Sequence, residues 1–124
     1  MKIIEAISRT DALMHNTYSQ NDKVQWLSDL DNDIKQQIID NHEGGQSVSF
    51  TGYDANTPMD TVLLVPAPHD IIYLRWLEAQ IHYHNGEYDK YNNAIIMYNT
   101  AFDAYQKHYT RTHKPLQHGR RFLF

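Results

Sequence analysis

Apolar residues recur at intervals of three and four along most of the chain, and this spacing predicts four helices. The first covers about residues 2–14 and the second about residues 20–41. The third runs from about 68 to 85, and the fourth from about 87 to 109. The pattern therefore indicates a mainly α protein built as a small four-helix bundle.

The second helix has a clear start and one apolar face. Ser19 precedes it and Asp22 follows three residues later, which is the pattern of a helix N-cap with an acid in the first turn. Its apolar positions are Trp26, Leu27, Leu30, Ile34 and Ile38. We expect the many aspartates of this helix to lie on its solvent side.

The third and fourth helices are expected to form a long antiparallel hairpin, because only the short turn at Gly86 separates them. The third helix is apolar around most of its circumference, which predicts a central position. The fourth carries a seam with alternating steps of three and four residues. The seam consists of Tyr88, Tyr91, Ile95, Tyr98, Phe102, Tyr105 and Tyr109. Either the seam is core, or part of it extends beyond what one subunit can cover.

Residues 46–65 lack a helical pattern. Val48 and Phe50 alternate with serine and threonine, and residues 61–65 are largely β-branched and apolar. Asparagine and proline lie between them, as in a turn. These features predict an inserted β-hairpin or extended loop at about 46–65, which needs support from helices or from another subunit. The whole chain, 1–124, is interpreted as one domain with an extended C-terminal tail at 110–124.

Composition and charge exclude several classes of function. The sequence has no cysteine, which excludes disulfides and thiolate chemistry and fits a reducing cytoplasm. Its apolar runs, 62–65 and 94–97, are far shorter than the about 20 residues of a membrane span. Residues 1–70 carry eleven acidic and four basic side chains, whereas residues 104–124 carry five basic and no acidic ones. This asymmetry is either a solvated surface or electrostatic complementarity to another polypeptide.

No motif for catalysis, cofactor binding or metal binding emerges from the residues. His82 and His84 point to different sides of a helix, and His108, His113 and His118 have no cysteine or HExxH pattern to support them. The serines lie in no GxSxG turn, and the glycines form no phosphate loop. We therefore expect a protein that is not an enzyme and that uses no cofactor or metal.

The distinctive side chains are instead those of an interface. The tail combines basic and apolar residues, a composition that suits docking in a protein groove. Two apolar residues of the fourth helix fall off its seam and suggest a second contact surface. The predicted interface residues are Phe50, Tyr53, Met59, Ile96, Met97, Arg111, Lys114, Arg120, Arg121, Phe122, Leu123 and Phe124.

Several segments, in their order along the chain, resemble the small head–tail connector (adaptor) proteins of tailed bacteriophages and prophages. The segments are WLSDLD at 26–31, LLVP at 63–66, LEAQI at 77–81, NGEYDKYNN at 85–93 and YTRTHKP at 109–115. The resemblance covers the chain from about Ser19 to Pro115 and is one of pattern and order, without a catalytic motif.

The resemblance implies a helical bundle whose copies form a ring, commonly of twelve, beneath the portal protein. Such a ring extends the channel through which DNA passes without sequence-specific binding, at the head–tail junction of a virion assembled in the bacterial cytoplasm. The implied partners are the portal and other joining proteins. The residues also leave an alternative open: a small regulatory module that contacts nucleic acid or protein through its basic tail.

Overall fold

A computed structural model describes residues 1–116, and four α-helices account for most of them. The helices are α1 (Ile3–Leu13), α2 (Gln20–Gln37), α3 (Ile71–His84) and α4 (Tyr88–Thr112), with short 3₁₀ turns at Ile39–Asn41 and Gly45–Ser47. The prediction of a mainly α bundle with four helices is confirmed.

Helix α3 is the centre of the bundle. It packs against α1, α2 and, most extensively, α4. Ile72, Leu77 and Ile81 on α3 are fully buried, which follows from its apolar circumference. Helix α4 packs mainly along α3, so one of its sides faces the bundle and the other faces solvent.

Local signals fix the helix ends. The side chain of Ser19 accepts a hydrogen bond from the backbone N–H of Asp22 at 3.1 Å, as its N-cap position predicts. Gly86 has φ +76°, a left-handed conformation that costs other residues energy, and it reverses the chain between α3 and α4. Helix α3 begins at Ile71, because residues 66–69 form a turn in which the N–H of His69 donates to the carbonyl of Pro66.

The predicted β-hairpin at 46–65 is wrong. Within residues 1–116 there are only isolated β-bridges, and the two halves of this segment do not pair with each other. Two tight turns direct them apart: the N–H of Thr57 donates to the carbonyl of Asp54, and that of Thr61 donates to Pro58. The alternating pattern of residues 47–51 therefore does not mark a strand.

The second half of this segment pairs with the beginning of the chain instead. The N–H groups of Ile3 and Ile4 donate to the carbonyls of Thr61 and Met59, each at 3.0 Å. Lys2 and Val62 form an antiparallel bridge. This pairing holds residues 59–62 against the start of α1. We refer to residues 46–65 as the extended segment.

Helix α4 continues through Thr112, so the first residues of the predicted 110–124 tail are helical. Beyond it, the chain lies against the turn that follows α2. The N–H of Glu43 donates to the carbonyl of Lys114 at 2.8 Å, and the N–H of Leu116 donates to the carbonyl of Asn41 at 3.0 Å. These bonds fix the path of the chain up to Leu116.

Candidate functional site

The solvent side of α4 is the most distinctive exposed surface of the described residues. We define the outer face of α4 as Asp89, Asn93, Ile96, Met97, Thr100, Asp103 and Lys107, all of which are exposed. Apart from Met97, which directly follows Ile96, they recur at steps of three and four, so they lie along one side of the helix. Ile96 is 60% exposed and Met97 51%, and both were predicted from the sequence as interface residues.

The opposite side of α4 carries the seam, and its burial varies along the helix. Tyr98, Tyr105 and Tyr109 are buried in the core. Tyr88, at the start of α4, is 61% exposed, and Tyr83 at the end of α3 is 50% exposed. The rings of these two residues contact each other edge to face, with centroids 6.0 Å apart. One subunit therefore leaves two aromatic side chains uncovered at the tip of the helical hairpin.

Three of the predicted interface residues turn inward. Phe50 and Met59 are partly buried and pack against the core, and Tyr53 is buried at 8% exposure. The rings of Phe50 and Tyr53 contact each other, with centroids 5.1 Å apart. For Tyr53 this is a correction: the side chain that we expected to reach a neighbouring subunit is part of the subunit's own core.

Tyr53 belongs to a buried polar cluster centred on Asp31. The hydroxyl of Tyr53 donates to Asp31 Oδ2 at 2.5 Å, and the hydroxyl of Tyr73 donates to Oδ1 at 2.7 Å. The backbone N–H of Leu64 also donates to Oδ2, at 3.2 Å, and that of Val65 donates to the Tyr73 hydroxyl at 2.7 Å. The cluster therefore joins α2, the extended segment and α3 through one carboxyl group.

Asp31 contradicts the expectation that the aspartates of α2 face solvent, because its side chain is fully buried. The sequence contained a signal for this position. Asp31 lies four residues after Leu27 and three before Ile34, which places it on the apolar face. Asp22, Asp29 and Asp33 are exposed, as expected.

Burial is the main influence on ionisation in the cluster. It raises the pKa of Asp31 above its ordinary value, although the hydrogen bonds from Tyr53, Tyr73 and Leu64 act in the opposite direction. Burial and the nearby Asp31 also raise the pKa values of both tyrosines, so their hydroxyls remain protonated donors. Three donors occupy the carboxyl group, an arrangement that suits a fixed structural role.

An apolar groove of about 270 Å³ lies beside the C-terminal half of α4. Its walls include Ile39, Val48, Leu64, Tyr105 and His108. The volume is slightly below the about 300–1,000 Å³ of pockets for drug-sized ligands. The groove can therefore accept a side chain or two of a peptide. Its lining also includes Thr112 and His113, whose Oγ1 and Nδ1 atoms are 3.0 Å apart, but the Thr112 hydroxyl donates to carbonyl groups of its own helix.

The C-terminal end of α4 also carries basic residues. Arg111 and Lys114 are exposed, so both predicted interface residues are accessible. Lys107 is also exposed, one helical turn before Arg111. Their assignment to an interface stays a prediction. The other predicted tail residues, Arg120, Arg121, Phe122, Leu123 and Phe124, lie outside the described residues.

Two further features concern metals and membranes. Within residues 1–116, no group of three or more histidine, aspartate or glutamate side chains is arranged to hold a metal ion. None of the helices in this part of the chain is long and apolar enough to span a membrane.

No protein-family model matches the chain, and no curated protein or solved structure is significantly similar to it.

Proposed function

We propose that the protein is a structural assembly subunit, and specifically a head–tail connector of a tailed bacteriophage or prophage. The observation that carries the proposal is the outer face of α4. This 25-residue helix buries one side mainly against α3 and leaves Ile96 and Met97 exposed on the other. Exposed apolar side chains on a rigid helix are typical of surfaces that bind other polypeptides.

The rigidity of the scaffold supports this role. The buried hydrogen bonds of Asp31 hold the extended segment on the bundle, and Glu43 and Asn41 hold the chain after α4. A subunit of a large assembly must present its surfaces at fixed positions, because ordering them during binding would reduce the affinity.

The finer assignment rests on the sequence resemblance described above. In that role, copies of the protein form a ring, commonly of twelve, beneath the portal, at the head–tail junction of a virion assembled in the bacterial cytoplasm. The ring extends the DNA channel. The exposed acids of α2, Asp22, Asp29 and Asp33, suit the wall of such a channel because they repel phosphates.

The tail is proposed to dock on the portal or another joining protein. Arg111 and Lys114 lie at its accessible base, and residues 117–124 add two arginines and three large apolar residues. Basic and apolar side chains together provide both electrostatic attraction and anchors for an interface.

Genetic complementation tests the proposal. A phage that lacks the gene is supplied with the wild-type protein, with Ile96→Glu, or with a protein truncated after Leu116. We expect both variants to fold but to yield filled heads without tails, counted by electron microscopy, and few infectious particles. Gln25→Glu, on the exposed side of α2, is the matched control and should complement fully. Normal particle yields with both variants would refute the proposed use of these surfaces.

One observation favours a second candidate, a regulatory module that binds nucleic acid. Lys107 and Arg111 near the end of α4 and Lys114 just beyond it are all exposed and lead into the basic tail. Binding through these residues would weaken steeply as the salt concentration rises. A gel shift with duplex DNA at about physiological salt distinguishes the two candidates, since a connector subunit should give no discrete complex.

A further inference from the structure

On the outer face of α4, positions that are symmetric about Tyr98 carry complementary rather than identical residues. Asp89 and Lys107 lie nine residues on either side of Tyr98, Asn93 and Asp103 lie five residues on either side, and Ile96 and Thr100 lie two. Because these positions follow the helical repeat, the symmetry exists on the surface as well as in the sequence.

We propose that two copies of the free protein pair through this face, with their α4 helices antiparallel. A two-fold axis opposite Tyr98 places Asp89 of each copy against Lys107 of the other, so the pair gains two opposite-charge contacts. It also places Ile96 against Thr100 of the second copy, and Asn93 against Asp103. Such a contact is isologous, with the same residues used on both sides.

The centre of this contact is apolar, although it includes the polar residue Thr100. The hydroxyl of Thr100 donates to the carbonyl of Ile96 in its own helix at 3.0 Å, so its donor is satisfied without a partner. The methyl group of Thr100 is then available to pack against Ile96 of the second copy. Met97, 51% exposed, lies beside this contact and can cover its edge.

The charged groups can be rearranged at little cost. Lys107 pairs with Asp103 of its own helix at 2.9 Å, but these side chains are 68% and 58% exposed. Exposed pairs of this kind contribute little to stability. In the dimer, Lys107 turns to Asp89 of the second copy, and the amide of Asn93 donates to the carboxylate of Asp103.

The antiparallel direction follows from the charges. In a parallel pair aligned in register, Asp89 would face Asp89, and Lys107 would face Lys107. Like charges in opposition disfavour that arrangement. The contact has few apolar side chains and is much smaller than a standard interface, which has about 20–30 residues per side. The dimer is therefore weak, and its population depends on the protein concentration.

This inference uses the same face as the proposed function but does not require it. An isologous contact closes at two copies, so it cannot build a ring. The dimer instead covers Ile96 and Met97 until an assembly partner replaces the second copy.

Engineered cysteines test the pairing, since the natural sequence contains none. Ile96→Cys and Thr100→Cys are prepared with tags of different size, mixed, and oxidised at high protein concentration. Opposed residues of two close helices can reach the Cα separation that a disulfide needs, about 4.4–6.8 Å. We expect the disulfide-linked heterodimer to be the major cross-linked species on a non-reducing gel. Gln25→Cys is the control and should remain monomeric.

A charge exchange supplies a second, independent readout. Asp89→Lys turns two attractive contacts into repulsive ones, and we expect association about fivefold to tenfold weaker by sedimentation. Adding Lys107→Asp to the same chain should restore wild-type association. The proposal is overturned if the cysteine mixture cross-links no better than each variant alone, or if the double exchange fails to restore pairing. Both assays use only purified protein, so a negative result leaves the phage complementation test unaffected.

Discussion

Removing the hydroxyl group of Tyr53 tests whether the Asp31 cluster stabilises the fold. Tyr53→Phe deletes the 2.5 Å hydrogen bond to Asp31 and nothing else, because the ring is retained. The side chain is only 8% exposed, so water does not readily replace the lost donor. We expect the free energy of unfolding to fall.

The magnitude follows from the remaining bonds. Hydrogen bonds to charged groups contribute about 1.5–3 kcal/mol each. After the substitution, Leu64 still donates to Oδ2 and Tyr73 still donates to Oδ1, so the carboxyl group keeps two of its three hydrogen bonds. We therefore expect a loss of about 2 kcal/mol, a large share of the about 5–15 kcal/mol typical of a domain.

Urea denaturation followed by circular dichroism measures this loss as a lower midpoint with an unchanged slope. Tyr88→Phe is the matched control, because Tyr88 is 61% exposed, and its effect should stay within about 0.5 kcal/mol. Asp31→Ala extends the series: it leaves three donors without their acceptor and should cost about 3–5 kcal/mol. If Tyr53→Phe and Tyr88→Phe unfold at the same urea concentration, the Asp31 cluster does not stabilise the protein as we argue.

Two further predictions concern pH and a close backbone contact. Burial raises the pKa of Asp31 above 3.8 in the folded protein. Between 3.8 and this raised pKa, the folded protein binds more protons than the unfolded chain. The free energy of unfolding therefore falls as the pH rises through this window. The unfolding free energy of the wild type minus that of Asp31→Asn should therefore be larger near pH 4 than near pH 7; a difference that grows with pH would contradict the raised pKa. At Gly45, an added Cβ would lie 2.0 Å from the carbonyl oxygen of Ile39, so Gly45→Ala should cost about 3 kcal/mol in the same urea assay. Gly44→Ala is the control and should lower the free energy of unfolding by about 1 kcal/mol. Its added Cβ would meet nothing within 4 Å, and only its φ of +83° is unfavourable. Equal losses for the two variants would show that the turn can shift to make room for the Cβ at position 45.

The sequence predicted well those features that depend on neighbours a few residues apart. The N-cap at Ser19, the turn at Gly86 and the buried side of α4 all follow from local spacing, and the structure confirms them. The α4 seam was predictable because six consecutive steps of three and four leave little ambiguity about which side of the helix is buried.

Features that depend on distant partners were not predictable in this way. Residues 46–65 alternate as a strand would, but their backbone groups bond to the start of the chain and to side chains of α2. The burial of Asp31 was not predicted, since the aspartates of α2 were expected as a group to face solvent and a carboxylate rarely lies in a core without partners. Its partners, Tyr53 and Tyr73, are 22 and 42 residues away, and a helical pattern does not reveal them.

The extended segment is fastened to the bundle at separate points, and this governs how it comes loose. The backbone N–H of Tyr53 is held by Ser28, that of Leu64 by Asp31 and that of Val65 by Tyr73. The hydrogen bonds of a β-ladder break cooperatively, because each broken pair exposes the next. Hydrogen bonds at separate points can break independently of one another. Amide exchange should therefore be slow at Tyr53 and at residues 63–65, where the N–H of Leu63 also donates to the carbonyl of Met1. It should be faster in the stretch between these points, which can deform while the helices stay intact.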